Sequence, residues 1–327
     1  MAERLPVAVD AMGGDDAPHS IIEGSLIAKN EFGIDVVLVG DTEQLAEAED
    51  LPIIHASEVI EMGAEPATAV RTLKDSSMVR AAEAVRDGKA SCVLSAGNTG
   101  AAMAASLLRL GRIKGVSRPA IAIPFPVLGS TPTTVLDVGA NAQCQPDWLV
   151  QFALMGLVYC RSKFNIEEPK VAILTIGEEA GKGNTLVKES SKLLESVDWK
   201  AFGADYIGNV EGNDLLTGVA DVVVCDGFTG NVVLKSLEGV FELFESSITS
   251  VLGEIENSSD AIDSVRPVFG ELDPVNVGTG MLLGVKGVSM IAHGSSSPIA
   301  IANAIKNASI IVEMDLVEKI KTGLLPS

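Results

Sequence analysis

Residues 221–240 read DVVVCDGFTGNVVLKSLEGV. A run of valines stops at Cys225, a polar stretch with two glycines follows, and apolar residues then return at helical spacing. That order predicts a buried strand, a glycine loop and a helix. The plan recurs along the chain. It opens in PVAVDAMGGDDAPHSIIEGSLIA (6–28), with Pro18 and Ser20 near a helix start. It returns in ASCVLSAGNTGAAMAASLLRL (90–110), TTVLDVGANAQCQPDWLVQFALMG (133–156) and KVAILTIGEEAGKGNTLVKESSKLL (170–194). Strands alternating with helices indicate βαβ units and an α/β three-layer sandwich around a mostly parallel sheet. Right-handed crossovers would gather the loops at the carboxyl ends of the strands, the edge where open α/β sheets bind ligands. The unusual polar residues are therefore expected to converge on one cleft.

The composition agrees with that class and narrows the chemistry. Of 327 residues, 47% are hydrophobic but only 4% aromatic, as small-residue helices on Val/Ile strands require. No long linker divides the chain, so one α/β domain over 1–327 is expected. The proline-rich RPAIAIPFPVLGSTPTT (118–134) is read as a hairpin or a lobe boundary. No run approaches the roughly 20 apolar residues of a membrane span, and no signal peptide opens the chain. Four scattered cysteines without a CxxC pair suggest reduced thiols in a cytoplasmic protein, and three histidines without ligand spacing give no zinc site. A formal charge of −20 argues against nucleic acid. It also means that an anionic ligand needs a local positive site. Residues 88–136 contain no Asp or Glu but do contain Arg109, Arg112, Lys114 and Arg118, which suit either a solvated loop or a patch for an acidic partner.

Two of the glycine loops suit phosphate. SAGNTG (95–100) and DGFTGN (226–231) each put glycines, hydroxyls and amides at a strand-to-helix corner, where unpaired N–H groups and the helix dipole favour an anion. Capped tight turns are the plain alternative for both. Asp226 is an awkward neighbour for an anion and suits orienting the backbone. GxGxxG is absent from both loops. GEEAGKGNT (177–185) resembles a Walker A loop but lacks its spacing and its hydroxyl after Lys182, which disfavours ATP hydrolysis. In VRTLKDSS (70–77), a helix would put Arg71 and Lys74 on one face. His293 ends an apolar strand before Ser295, Ser296 and a helix starting near Pro298.

Nine stretches, in order, resemble the bacterial phosphate acyltransferase family of phospholipid synthesis, the acyl-acyl-carrier-protein:phosphate transacylases. They are VDAMGGD (9–15), RTLKDSS (71–77), SAGNTG (95–100), LDVGAN (136–141), IGEEAGKG (176–183), GNVEGND (208–214), CDGFTGN (225–231), LLGVKG (282–287) and HGSS (293–296). The resemblance spans nearly the whole chain. It implies a phosphotransacetylase/isocitrate-dehydrogenase-like fold and transfer of a long acyl group from acyl carrier protein to inorganic phosphate. It further implies a homodimer, no metal or organic cofactor, and a membrane glycerol-phosphate acyltransferase that uses the product. Two features depart from the family pattern: VGTG (277–280) replaces YGGA, and the helical segment at about 236–275 has an acidic polar face. Dimer packing is the favoured reading of that segment, with peripheral attachment at the inner face of the membrane as its rival.

On this resemblance Lys182, Asn231 and His293 are the catalytic candidates. Lys182 would neutralise phosphate charge, Asn231 would donate to the oxyanion or phosphate, and His293 would protonate the departing thiolate. Ser95, Gly97, Asn98, Thr99, Gly100 and Asn141 are assigned to phosphate or substrate, with Arg71, Lys74, Asp226, Gly227, Thr229, Gly230, Ser295 and Ser296. Arg109, Arg112, Lys114 and Arg118 are assigned to carrier-protein docking. A decarboxylating NAD(P) dehydrogenase of related fold and a silent carrier-binding scaffold are the alternatives.

Overall fold

The computed structural model of the chain describes residues 4–48, 50–253, 259–272 and 279–324. They fall into two compact units, one within Met1–Pro119 and Thr279–Leu325, the other within Ala120–Gly278. Val277 and Gly278 of the VGTG stretch, and residues 254–258 and 273–275 of the expected helical segment, lie outside the described residues.

The first unit contains β1 (Val7–Asp10), α1 (His19–Phe32), β2 (Val36–Gly40), β3 (Ile53–His55), α2 (Pro66–Thr72), α3 (Ser77–Arg86), β4 (Cys92–Ser95) and α4 (Thr99–Arg109). Its sheet runs β3-β2-β1-β4 in parallel. Two later strands extend it: β11 (Val288–Ile291) lies parallel to β4, and β10 (Gly280–Leu283) antiparallel to β11. Helices α9 (Pro298–Glu313) and α10 (Leu316–Gly323) close the unit. Side chains alternate across a strand. Ala8, Val37, Val39 and Val93 therefore share one face, where they pack against Ala81 and Ala84 of α3. Val7, Val9, Leu38 and Leu94 fill the opposite face, under α1 and α9. Those two helices touch closely, for a Cβ on Gly24 would lie 2.6 Å from the Pro298 carbonyl oxygen.

The second unit holds β5 (Ala120–Phe125), β6 (Thr133–Leu136), α5 (Pro146–Phe164), β7 (Lys170–Leu174), α6 (Thr185–Glu195), β8 (Asp205–Val210), β9 (Val222–Val224), α7 (Gly227–Gly253) and α8 (Ser259–Leu272). The proline-rich stretch forms the antiparallel β5–β6 hairpin, and β6-β9-β7-β8 run parallel. Helix α5 is buried along most of its length and lies hard on the sheet. A Cβ on Gly156 would come 2.7 Å from Val222 Cγ1 and 2.9 Å from Leu136 Cδ2. Helix α7 is 27 residues long, about 40 Å at 1.5 Å per residue. It meets α8 through Phe241 and Phe269, whose rings stand edge to face at 6.2 Å. Val240, Leu243, Phe244, Ile248 and Val251 of α7 recur at helical spacing and are exposed. The α/β class and the mostly parallel sheet are as the sequence implies.

Candidate functional site

In the first unit a buried carboxylate shapes the loops. Asp10 and Ser95 end the neighbouring parallel strands β1 and β4 and lie opposite each other. The Ser95 hydroxyl donates to Asp10 Oδ2 at 2.7 Å and accepts the Gly97 N–H at 3.1 Å. The Met12 N–H donates to Asp10 Oδ1. Burial pushes the Asp10 carboxyl up, and hydrogen bonds from Ser77, Ser95 and Met12 pull it back. A Cβ on Gly13 would sit 2.7 Å from Asp10 Oδ2 and 2.8 Å from Gly97 N, so the MGGD and SAGNTG loops meet backbone to backbone.

Several of the residues assigned to phosphate are occupied by the protein itself. Asn98 caps α4 by accepting the Ala101 N–H at 2.9 Å, while its amide donates to the carbonyls of Met62 and Ala64. Gly100 faces Pro66, with a Cβ position 2.7 Å from Pro66 Cγ, so its small size serves helix packing. The SAGNTG loop therefore exposes Thr99, while the Ser95 and Asn98 side chains point inward. Arg71 is exposed in the last turn of α2, which stops at Thr72. Lys74 lies beyond that end, so the shared helical face expected for the two does not form. The Asp75 N–H donates to Glu58 Oε2 and the Ser77 N–H to the Glu58 carbonyl, which draws the chain out of the helix.

His293 follows β11, whose Ile291 lies opposite Ser95. The Ser295 N–H donates to His293 Nδ1 at 3.3 Å, and the Ser295 hydroxyl lies 2.8 Å from the same atom. With Nδ1 accepting, neutral imidazole carries its proton on Nε2. Ser296 is buried, and Ser297 rather than either assigned serine caps α9.

The basic segment is less open than its composition suggests. Arg109 is partly buried with Nε 3.4 Å from Glu83 Oε1, a carboxylate that Arg80 and Arg86 also approach. Arg112 donates to the carbonyls of Val116 and Ser117, and Lys114 and Arg118 are exposed. The Lys286 N–H donates to the Gly111 carbonyl at 2.9 Å, which brings a further exposed cation beside Arg112.

The second unit repeats the device. Strands β6, β9 and β7 are parallel neighbours, so LDVGAN, CDGFTGN and TIGEEAGKG leave from one edge. Asp137 is fully buried and accepts five hydrogen bonds. Oδ1 takes the N–H groups of Ile121, Gly139 and Ala140 at 2.9–3.1 Å. Oδ2 takes the Asn141 N–H at 2.7 Å and the Asn141 amide at 2.9 Å. The loop folds as a nest around its own carboxylate. Burial pushes that carboxyl up, and the hydrogen bonds from Ala140, Asn141 and Ile121 pull it back.

That nest seats α7. The Gly227 N–H donates to the Asn141 carbonyl at 2.9 Å, and a Cβ on Gly230 would lie 2.0 Å from the Asp137 carbonyl oxygen. Asp226 receives the Thr229 N–H at 3.0 Å, which caps α7, and the Thr229 hydroxyl at 2.8 Å, which holds the capping carboxylate. Asn231 is exposed beside Gly139, with its amide 3.4 Å from the Val138 carbonyl. Lys182 stands between Gly181 and Gly183, both in the left-handed region. It is half exposed, with Nζ 3.6 Å from Glu179 Oε2.

Asp10, Asp137, Glu179, Asn209 and Lys286 do not stand out in the sequence alone. An aspartate directly at the end of an apolar strand was the available signal for the first two. No cysteine offers a ready nucleophile: burial pushes Cys92, Cys144 and Cys160 up to about 12 and Cys225 well up. The most exposed large apolar side chains among the described residues are Ile176 (81%), Phe228 (66%) and Ile299 (65%). They stand in the same loops or helix starts as Lys182, Asn231 and His293.

Residues 5–319 match the family described as fatty acid synthesis protein. The phosphate acyltransferase of Dictyoglomus turgidum (strain DSM 6724 / Z-1310) is 45% identical, covering 98% of each chain. That of Geotalea daltonii (strain DSM 22248 / JCM 15807 / FRC-32) is 48% identical, covering 93% of this chain and 90% of the relative. Among solved structures, a phosphotransacetylase from Streptococcus pyogenes is similar at a TM-score of 0.62 and 15% identity, covering 97% of this chain and 95% of its own. A branched-chain phosphotransacylase from Enterococcus faecalis V583 gives 0.60 and 16%, covering 94% and 99%. These two likenesses establish a phosphotransacetylase-like fold.

Proposed function

The chain belongs to the phosphate acyltransferase family, and from that premise we propose that it moves a fatty acyl group from acyl carrier protein to inorganic phosphate. The products are acyl phosphate and free carrier protein. The observation that carries this reading is the edge of the second unit, where an Asp137-organised loop, the exposed Asn231 amide and Lys182 follow neighbouring strands. Phosphate is anionic at neutral pH and needs placement more than deprotonation. Its oxygen attacks the thioester carbon, the C–O bond forms, and the C–S bond breaks with its electron pair leaving on sulfur. Orientation contributes about 7–11 kcal/mol to such a step, and each well-placed oxyanion donor about 3–4.

We assign Lys182 to phosphate charge and Asn231 to the oxyanion or phosphate. In the first unit, taken by itself, Thr99 and the start of α4 suit an anion, and His293 Nε2 suits a proton donor. Ser95, Asn98, Asn141 and Asp226 act by holding their loops. The exposed Ile176 and Phe228 favour a long acyl chain over an acetyl group, since apolar surface gains from covering a hydrocarbon. Release of carrier thiol from palmitoyl carrier protein, followed with and without phosphate, tests the whole reading. Phosphate-dependent release is the expected result, and an equal rate without phosphate would sink it.

Two partner surfaces follow. Arg112, Lys114 and Lys286, with Arg118 beyond them, suit the acidic carrier protein, while Arg109 is held by Glu83. Reversing charge at Arg112 and Lys286 is expected to raise KM for acyl carrier protein several-fold and leave kcat alone, because rim charges act mainly on encounter. An unchanged KM would remove the patch from consideration. The apolar stripe of α7 is proposed as a homodimer face, since residues 240–253 carry Glu242 and Glu245 but none of the Lys and Arg that anionic lipid attracts, and Lys235 nearer the helix start is paired with Glu238. Strong flotation with anionic vesicles would assign it to the membrane instead. In the described residues no helix is long and apolar enough to cross one, and the product would pass to a membrane glycerol-phosphate acyltransferase.

A further inference from the structure

The GNVEGND stretch (208–214) has no part in the chemistry above, yet its first two residues hold the loop that carries Lys182. Strands β7 and β8 pair with a register shift: Val171 lies opposite Tyr206, but Ala172 lies opposite Gly208. Ile207 is the extra residue of a bulge. Gly208 takes φ of +89°, which other residues reach only with strain. One inserted residue turns every later side chain to the other face of the strand. Asn209 is thereby aimed at the loop after β7.

Its amide donates to the Glu179 carbonyl at 3.0 Å and to the Gly177 carbonyl at 3.5 Å. Those carbonyls can only accept, which fixes which way the amide points, and its own oxygen lies 3.4 Å from the Ser191 hydroxyl. The Glu179 carbonyl also accepts the Lys182 N–H at 3.2 Å, and the Glu179 carboxylate holds Lys182 Nζ. One residue, Glu179, therefore joins Asn209 to both the backbone and the ammonium of Lys182.

We propose that Asn209 is a positioning residue for Lys182, with the Gly208 bulge as the device that aims it. It fixes the Gly177–Glu179 backbone, so the glycine-flanked lysine swings from a defined base. The inference rests on Lys182 being the group that meets phosphate charge. Glycines 181 and 183 would otherwise leave that ammonium spread over many positions, and small misplacements are costly in catalysis.

The test is a double-mutant cycle on kcat/KM for phosphate in carrier-thiol release, with thermal unfolding of each variant beside it. Asn209→Ala is expected to lose about tenfold, and Asn209→Asp about as much, because it keeps the shape but lacks the amide donor. In a Lys182→Ala background the further loss should be under about twofold. A merely structural role would give the same loss in both backgrounds, and that result overturns the proposal. Wild-type turnover in Asn209→Asp does so too, and it covers the case in which the alanine variant fails to fold. Full turnover in Lys182→Ala alone is the separate result that removes the reading of Lys182 and this inference with it.

Discussion

Asp137→Asn is expected to destabilise the fold by about 2–5 kcal/mol, because two partly buried donors would be left facing an NH2 group. The Asn141 N–H and the Asn141 amide both point at Oδ2. Only an acceptor can satisfy them. The asparagine carbonyl can still serve Ile121, Gly139 and Ala140, so the damage falls on the Asn141 side of the nest. That side receives the Gly227 N–H at the start of α7. Asn231 stands one helical turn further on, so its amide should move with the loop. A displacement of about 1 Å at a reacting group can cost about a hundredfold in rate. Chemical denaturation and phosphate-dependent thiol release measure the two effects. A variant within about 0.5 kcal/mol of wild type would show that the five hydrogen bonds do not organise the loop.

Lys182→Ala should separate activity from stability. Its ammonium is half exposed and meets an exposed carboxylate, Glu179, at 3.6 Å. Such surface pairs contribute about 0–1 kcal/mol, so the melting temperature should barely change. The loss of turnover is expected at about 10²–10³, the range for removing one charge-stabilising donor from a transition state. Steady-state rates against phosphate concentration decide the matter. A folded variant with near-wild-type kcat would take Lys182 out of the chemistry.

The two variants differ because the two residues were legible to different degrees. Lys182 stands out in a sequence: a lysine between two glycines in a loop after an apolar strand is conspicuous. Asp137 sits in the quoted LDVGAN but reads as one acid among 44. Its importance comes from burial and from a nest that closes only when Ile121, sixteen residues upstream, supplies a donor. Arg71 and Lys74 show the reverse error. Their i, i+3 spacing looks like one helical face, but Glu58, from a distant segment, competes for the backbone and ends the helix between them. Ser95 and Asn98 have ligand-like chemistry, and only the fold reveals that Asp10 and the Met62–Ala64 carbonyls already occupy them.

Hydrophobic period and turn chemistry act over a few residues, so the α/β class, the order of strands, loops and helices, and the loops at which chemistry belongs can be read from the chain alone. The ordered motifs extended that to the family. Side-chain occupancy was decided only by tertiary structure, because it depends on partners far apart in the chain: Asp10 and Ser95 are separated by 85 positions, Glu179 and Asn209 by 30. A bulge of one residue at Ile207 and Gly208 decides which way Asn209 points. No local pattern encodes that, because strand register depends on the partner strand as much as on the strand itself.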